Sequence, residues 1–320
     1  MALFSVLVTP QAMFQRRSEL EEFFGKGYVV EYSGAPINDR AKLKERLADK
    51  DAAVLGVEKI DAEILAAAPN VKVLSRFGTG YDSIDTAAAK AKGVRVAATP
   101  ARLAHQAVAH HAIALTSALA HNLKSSSVAL AQGRWERQVN LPLAGRTFGV
   151  LGLGGSGAVA ATLARGLGMK VAYWSRGPKP EGQRQGWTAC ATPEALFEAS
   201  DFVSVHMAGG KDVENFLDAG RLALLKGKFL INTARGSLID EAALFSLLES
   251  GAIRGAGLDV FKNEPVKDLS ARLAALPNVI ATPHVASFDP ESVLATARAA
   301  IDNVRSVLEG RPAQAENLVA

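Results

Sequence analysis

The stretch Phe148-Gly149-Val150-Leu151-Gly152-Leu153-Gly154-Gly155-Ser156-Gly157 decides the fold. Its first four residues are apolar or small, as a buried strand requires, and a helical segment from Ala158 to Leu167 follows directly. Between the two, Gly152 permits a tight turn, Gly154 lets a pyrophosphate approach the backbone, and Gly157 brings the helix close to the strand. The helix N-terminus supplies oriented amides for an anion, and Gly155 and Ser156, which lie in the turn before it, are expected to contact the cofactor as well. Glycine-rich turns are common. A strand before the turn and a helix after it make this one a dinucleotide-binding βα unit.

Outward from this unit the alternation continues. Downstream, the runs Lys170 to Trp174, Trp187 to Ala191, Asp201 to His206, Gly227 to Asn232, Gly255 to Asp259 and Val279 to Ala281 read as strands, most of them separated by helical segments. Upstream, Leu3 to Thr9, Tyr28 to Tyr32, Ala52 to Val57, Val71 to Ser75 and Val94 to Ala98 form an earlier series of the same kind. Strands alternating with helices predict two α/β units, each a doubly wound parallel sheet. The join is an Ala-rich helical stretch over about residues 101 to 124, followed by Ser125 to Gly145, which reads as polar and irregular. The last stretch, about Pro290 to Glu309, is amphipathic with no strand after it, and is expected to pack back on the first unit.

Composition excludes several function classes. The 320 residues are 48% apolar and 21% charged, enough for sizeable cores, which argues against a disordered, collagenous or disulfide-stapled chain. The single cysteine, Cys190, cannot pair within the chain and reads as a small core residue in a strand. The first residues lack a basic region and run into a strand, so a cytoplasmic protein is expected. No apolar run is long enough to span a membrane. A net charge of +4 without a Lys/Arg block is too dilute for nucleic acid, but suits a site for small anions. His105, His110, His111 and His121 share the long helical stretch without carboxylate or cysteine partners at metal-ligand spacing, so no metal is expected.

The strand after the glycine turn bears on cofactor choice. An NAD site commonly ends that strand in an acid, which holds the ribose 2′-hydroxyl. Here the sequence runs Val171-Ala172-Tyr173-Trp174-Ser175-Arg176-Gly177-Pro178-Lys179 and offers no acid. Ser175 can donate to a 2′-phosphate, Arg176 can hold it with a planar fork, and Lys179 adds charge, so NADPH is expected over NADH. Three further residues fall at or just beyond predicted strand ends, where doubly wound folds keep their ligand sites: Arg235, Glu264 and His284.

With these in view, the whole chain resembles the D-isomer-specific 2-hydroxyacid dehydrogenase family. The resemblance rests on Arg76-Phe77-Gly78-Thr79-Gly80-Tyr81-Asp82-Ser83-Ile84-Asp85, the glycine turn, Thr233-Ala234-Arg235-Gly236, Leu258-Asp259-Val260-Phe261 and Thr282-Pro283-His284, in family order. The Ser175-Arg176 departure is similar to the NADPH-using glyoxylate and hydroxypyruvate reductases. The resemblance implies a Rossmann cofactor domain, residues 100–286, a flavodoxin-like substrate domain, residues 1–99 with 287–320, and a ligand cleft between them. It implies reduction of a small 2-oxo acid to the D-2-hydroxy acid, with Arg235 binding the substrate carboxylate, His284 acting as general acid and Glu264 favouring its imidazolium form. Phe77 and the amides of Gly78 and Thr79 are implied on the substrate, Asp259 as acceptor for the nicotinamide carboxamide, Thr233 and Ala234 along the same ring, and His206 near the cofactor. After His206 the family commonly continues to Pro-Leu, whereas this chain has Met207-Ala208. Gly133-Arg134-Trp135 matches an element near a subunit interface, which implies a homodimer. A cofactor-sensing regulatory protein on the same fold is the alternative, and the complete Arg235, Glu264 and His284 set argues against it.

Overall fold

A computed structural model describes residues 3–311 and 317–319 of the chain. It divides into two compact units, Met1–Ala104 with Phe288–Ala320, and His105–Ser287.

The first unit holds five parallel strands: β1 (Phe4–Val8), β2 (Tyr28–Tyr32), β3 (Ala52–Leu55), β4 (Val73–Arg76) and β5 (Arg95–Ala98), in the order β2-β1-β3-β4-β5. The central strands are buried on both faces, which is why they read as unbroken apolar runs. Several helices open on an aspartate whose carboxylate takes first-turn amides, Asp39, Asp61 and Asp85 among them. The amphipathic segment forms the helix Pro290–Leu308, opened by Asp289, which accepts from the Ser292 amide at 2.8 Å. Its stripe of Val293, Ala297, Ala300, Ile301 and Val304 is buried with Val6, Val8, Val54 and Val73, so the tail completes the core of the first sheet. Truncating a fully buried residue such as Ile301 to alanine is of the class that costs about 2–5 kcal/mol. Just past β4, Gly78 adopts φ +129°, a conformation that disfavours any side chain.

The second unit holds seven parallel strands: β6 (Thr147–Leu151), β7 (Lys170–Trp174), β8 (Thr188–Ala189), β9 (Phe202–Val205), β10 (Phe229–Asn232), β11 (Gly255–Leu258) and β12 (Val279–Ala281). Their order is β12-β11-β10-β9-β6-β7-β8, so β6 lies between β9 and β7, where successive connections leave in opposite directions. Apolar cores cover both faces; one contains Phe202 and Phe229 stacked at 4.7 Å and 8°.

Two local readings change. The stretch expected to be irregular from Ser125 contains a helix, Leu123–Ala131. The preceding helix, His105–Ala120, ends near Asn122, which takes a left-handed φ of 50°, and the chain then starts a new helix. The serines hid this restart: Ser125 turns its hydroxyl onto the Asn122 carbonyl at 3.1 Å, and only Ala129 of the helix is buried, so no apolar period shows. The strand expected over Trp187 to Ala191 shrinks to Thr188–Ala189, leaving Cys190 partly buried beyond it, where burial pushes the thiol pKa up.

Candidate functional site

The strand order turns six scattered sequence positions into a row along the C-terminal edge of the second sheet. From one side to the other the chain leaves β12 at Thr282, β11 at Asp259, β10 at Thr233, β9 at His206, β6 at Gly152 and β7 at Ser175. A doubly wound sheet places its ligands along this edge.

At the middle of the row lies the glycine turn. Gly152 has φ +99°, and a Cβ there would lie 3.0 Å from the His206 carbonyl. A Cβ on Gly157 would lie 2.5 Å from the Gly152 oxygen, which fixes the close approach of helix to strand. Gly154 is exposed with no atom within 4 Å of a Cβ position, and it opens the helix Gly155–Gly166, so the amides at that end meet an open surface. A side chain on Gly155 would collide with the His105 imidazole, a neighbour that the sequence did not reveal. Ser156 contacts His206: its Oγ is 3.2 Å from Nδ1, while Nε2 is 2.9 Å from the Ser204 Oγ. His206 is only partly exposed, and burial pushes its pKa down to about 4, so the ring is neutral at physiological pH. His206 thus supports the turn from behind, as the bridge between Ser156 and Ser204.

At the β7 end the groups are open. Ser175 donates to the Gly177 carbonyl at 2.6 Å, and Arg176 is 70% exposed, its guanidinium 3.7 Å from Asp212, which is as exposed itself. Lys179 caps the short helix Pro180–Arg184. The structure brings these three residues onto one surface loop.

The opposite side of the row is dense. Asn232, buried at the end of β10, donates to the Arg235 carbonyl at 2.9 Å and accepts from the Ala234 amide at 3.0 Å, folding the Thr233-Ala234-Arg235 turn. Gly236 packs so closely on the Phe261 backbone that no side chain fits there, which draws this turn against the loop after β11. Glu264 lies on that loop, with Oε1 accepting from the Phe261 amide at 2.9 Å and Oε2 2.6 Å from His284 Nδ1. Burial alone would raise the Glu264 pKa. The His284 contact, the Phe261 amide and the nearby Arg235 charge reverse this and hold it below the usual carboxylate value. Because Nδ1 faces Glu264, His284 keeps Nε2 for another partner. The Thr233 hydroxyl is buried and has no hydrogen-bond partner among the described residues, which leaves it ready for one from a ligand.

His284 has φ +56°, a left-handed conformation that costs a non-glycine residue about 1–3 kcal/mol and persists where its surroundings impose it. The turn is held by Asp259, which is wholly buried. Its carboxylate accepts from the Thr282 hydroxyl at 2.5 Å and from the amides of Val285 and Ala286 at 2.9 Å each, and its carbonyl accepts from the His284 amide at 2.8 Å. The carboxylate expected to accept from a carboxamide thus already takes three donors from its own chain. His111 and Thr282, neither expected at the site, join here: His111 Nε2 is 2.9 Å from Thr282 Oγ1. The helical spacing of His111 carried no signal for this contact, because its partner lies 171 residues away.

In the first unit, Phe77 is buried, and the Gly78 amide donates to the Thr99 hydroxyl at 3.1 Å. The Gly78 amide expected on the substrate thus has a partner within its own unit. His110 and His121 are exposed, and among the described residues no cluster of three or more His, Cys, Asp or Glu suits a metal ion. No helix among the described residues is long and apolar enough to cross a membrane.

Comparison with known proteins points to one family. The profile of the NAD binding domain of the D-isomer specific 2-hydroxyacid dehydrogenases matches residues 113–286. A glyoxylate reductase of Thermococcus litoralis is 35% identical over 264 residues, 79% of each chain. A hydroxypyruvate reductase of Thermotoga maritima is 36% identical over 243 residues, 75% of this chain and 78% of that one. The crystal structure of the TT0316 protein from Thermus thermophilus superposes with a TM-score of 0.85 at 32% identity, covering 99% of this chain and 100% of that one.

Proposed function

Because the chain belongs to the D-isomer-specific 2-hydroxyacid dehydrogenase family, we propose that it reduces a small 2-oxo acid, glyoxylate or hydroxypyruvate, to the D-2-hydroxy acid with NADPH. The enzyme class and the nicotinamide cofactor follow from membership. Substrate, cofactor preference and residue roles are the proposal, and the observation that carries it is the His284–Glu264 contact of 2.6 Å beside Arg235.

The residues of the row fit a bound dinucleotide. Gly154 and the helix amides after it would receive the pyrophosphate, Thr233 and Ala234 would lie along the nicotinamide, and the unpartnered Thr233 hydroxyl supports that fit. When bound, the nicotinamide supplies the hydride that reduces C2 of the substrate. His284 would donate its Nε2 proton to the oxygen that becomes the hydroxyl, a transfer of the kind that contributes about 10²–10⁴-fold. Glu264, its pKa held low and its carboxylate anchored by the Phe261 amide, would hold the ring in place through Nδ1. The planar guanidinium fork of Arg235 suits a carboxylate held by two oxygens, while the same positive charge polarises the 2-oxo group. Thr79 would add a backbone amide to the substrate carboxylate.

The preference for NADPH is supported by Arg176 and the absence of an acid after β7. A 2′-phosphate would take the place of the Asp212 carboxylate at the Arg176 guanidinium, exchanging a weak exposed pair for a doubly charged partner. A homodimer is part of the reading. Leu130, Trp135 and Val139 are 60%, 83% and 90% exposed within ten residues, the kind of apolar surface that a partner subunit covers. A cytoplasmic location is part of the proposal.

Steady-state kinetics on a panel of 2-oxo acids from glyoxylate to phenylpyruvate, each with NADPH and NADH, tests all of this, with light scattering on the same preparation. The expected outcome is highest kcat/KM for the small acids with NADPH, and twice the 33.6 kDa chain mass. A strong NADH preference, or turnover confined to bulky acids, overturns the finer reading.

A further inference from the structure

The hydrogen-bond chain behind His284 has a direction. Thr282 owns one hydroxyl proton, and the 2.5 Å contact commits it to the Asp259 carboxylate, which can only accept. His111 Nε2, 2.9 Å from the same oxygen, must then be the donor, so His111 carries its proton on Nε2. The order is His111 Nε2–H to Thr282 Oγ–H to Asp259 Oδ1, with His111 Nε2 also 3.6 Å from that carboxylate oxygen. Asp259 closes the other end of the chain on the turn itself, through the amides of Val285 and Ala286 and through its carbonyl to His284. The amides of Val285 and Ala286, which follow His284 in the turn, therefore depend on how the Asp259 carboxylate is oriented, while the His284 amide itself is held by the backbone carbonyls of Asp259 and Thr282. Thr282 and His111 set that orientation from the β12 end and from the helix His105–Ala120.

We propose that Thr282 and His111 are positioning residues for the reduction, acting through Asp259 to fix the His284 imidazole over its contact with Glu264. Neither touches the reacting atoms. The proposal rests on the reading of His284 as proton donor. A misplacement of about 1 Å in a reacting group is enough to cost about 10²-fold in rate, and the turn is where such an error would enter. The charged groups facing the His284 contact within this unit are Glu264 and Arg235, and neither is altered by the changes below.

The test compares Thr282→Val, Thr282→Ser and His111→Phe with the unchanged enzyme, reading kcat, KM, cofactor Kd by fluorescence titration, and amide hydrogen exchange at Val285 and Ala286. Valine keeps the shape of threonine and removes the donor. Thr282→Val is expected to lower kcat at least about tenfold with cofactor Kd within about twofold, and Thr282→Ser to stay within about threefold of the unchanged enzyme. His111→Phe falls between them, and exchange at Val285 and Ala286 accelerates in step with the loss of kcat. A merely structural contact would alter melting temperature and exchange without this split between kcat and Kd or the rescue by serine. Thr282→Val with kcat within about threefold, or with its loss carried by cofactor Kd, overturns the proposal. Where Thr282→Val fails to melt cooperatively, His111→Phe decides by the same criteria. An unchanged enzyme that reduces no 2-oxo acid with either cofactor overturns the proposed function, and the exchange rates at Val285 and Ala286 then still decide whether Thr282 and His111 hold the turn.

Discussion

The two sides of the cofactor-domain sheet are built on opposite plans. At the β11–β12 side, His284, Glu264, Asp259, Thr282 and His111 are tied to one another and to backbone amides, with Asp259 fully buried. At the β7 side, Arg176 and Asp212 stand about three-quarters in water with a single 3.7 Å contact between them. The difference teaches where precision is needed. Proton transfer, the role proposed for the first side, depends on fractions of an ångström and needs groups held by many partners. Recognition of a phosphate depends mainly on charge, which tolerates a mobile side chain. A substitution on the first side should therefore act on rate, and one on the second on cofactor affinity.

The largest expected effect is His284→Ala. Loss of a general acid of this type lowers kcat by about 10²–10⁴-fold. Cofactor Kd should remain near that of the unchanged enzyme, because no part of the glycine turn rests on this ring. Stopped-flow kinetics together with fluorescence titration separates the two, and near-normal kcat would break the comparison at its stronger end.

A smaller effect is expected from Arg176→Ala. Hydrogen bonds to a charged group contribute about 1.5–3 kcal/mol, reduced here because Arg176 is largely exposed, so a loss of roughly tenfold in NADPH affinity is expected. NADH affinity and kcat with a saturating cofactor should not change. Measured Kd values for both cofactors sharpen the comparison: equal losses for NADPH and NADH would mean that the β7 side does not read the 2′-phosphate, and a fall in kcat would mean that it is not independent of the β12 side.

The same contrast explains what was legible in the sequence. Glycines are legible because they answer local demands: Gly152 needs its positive φ, and Gly157 its missing Cβ, within one βα turn. Arg235, Glu264 and His284 were legible because they follow strands, and the alternation of strands and helices ran the length of the chain. The twelve strands of the described residues lie where apolar runs predict them, although β8 is shorter. Contacts that join distant segments were not legible. His111 and Thr282 are far apart in the chain, and a lone histidine on an Ala-rich helix has no local signature for its partner. The helix Leu123–Ala131 was missed for a related reason, since almost nothing on it is buried within the unit and so no apolar period marks it.

His206 occupies the middle of the row and offers the smallest effect, on stability rather than turnover. Its pKa in the folded protein is about 4, because burial disfavours the charged ring, whereas an unfolded histidine titrates near about 6.5. Between those values the unfolded chain binds a proton that the folded chain does not, so stability rises with pH across this window and falls as the medium is acidified through it. Above about pH 6.5 both states hold the ring neutral and the dependence vanishes. His206→Asn removes the titrating group while keeping polar atoms toward Ser156 and Ser204. Its melting temperature should therefore fall less steeply than that of the unchanged protein between about pH 6.5 and about pH 4, by a few degrees at the acid end, on the order of 2–4 °C per kcal/mol for a chain of this size class. Parallel slopes for the two proteins in thermal melts would mean that the ring accepts its proton without leaving the bridge, and that this part of the sheet edge is as open to water as the Arg176 loop.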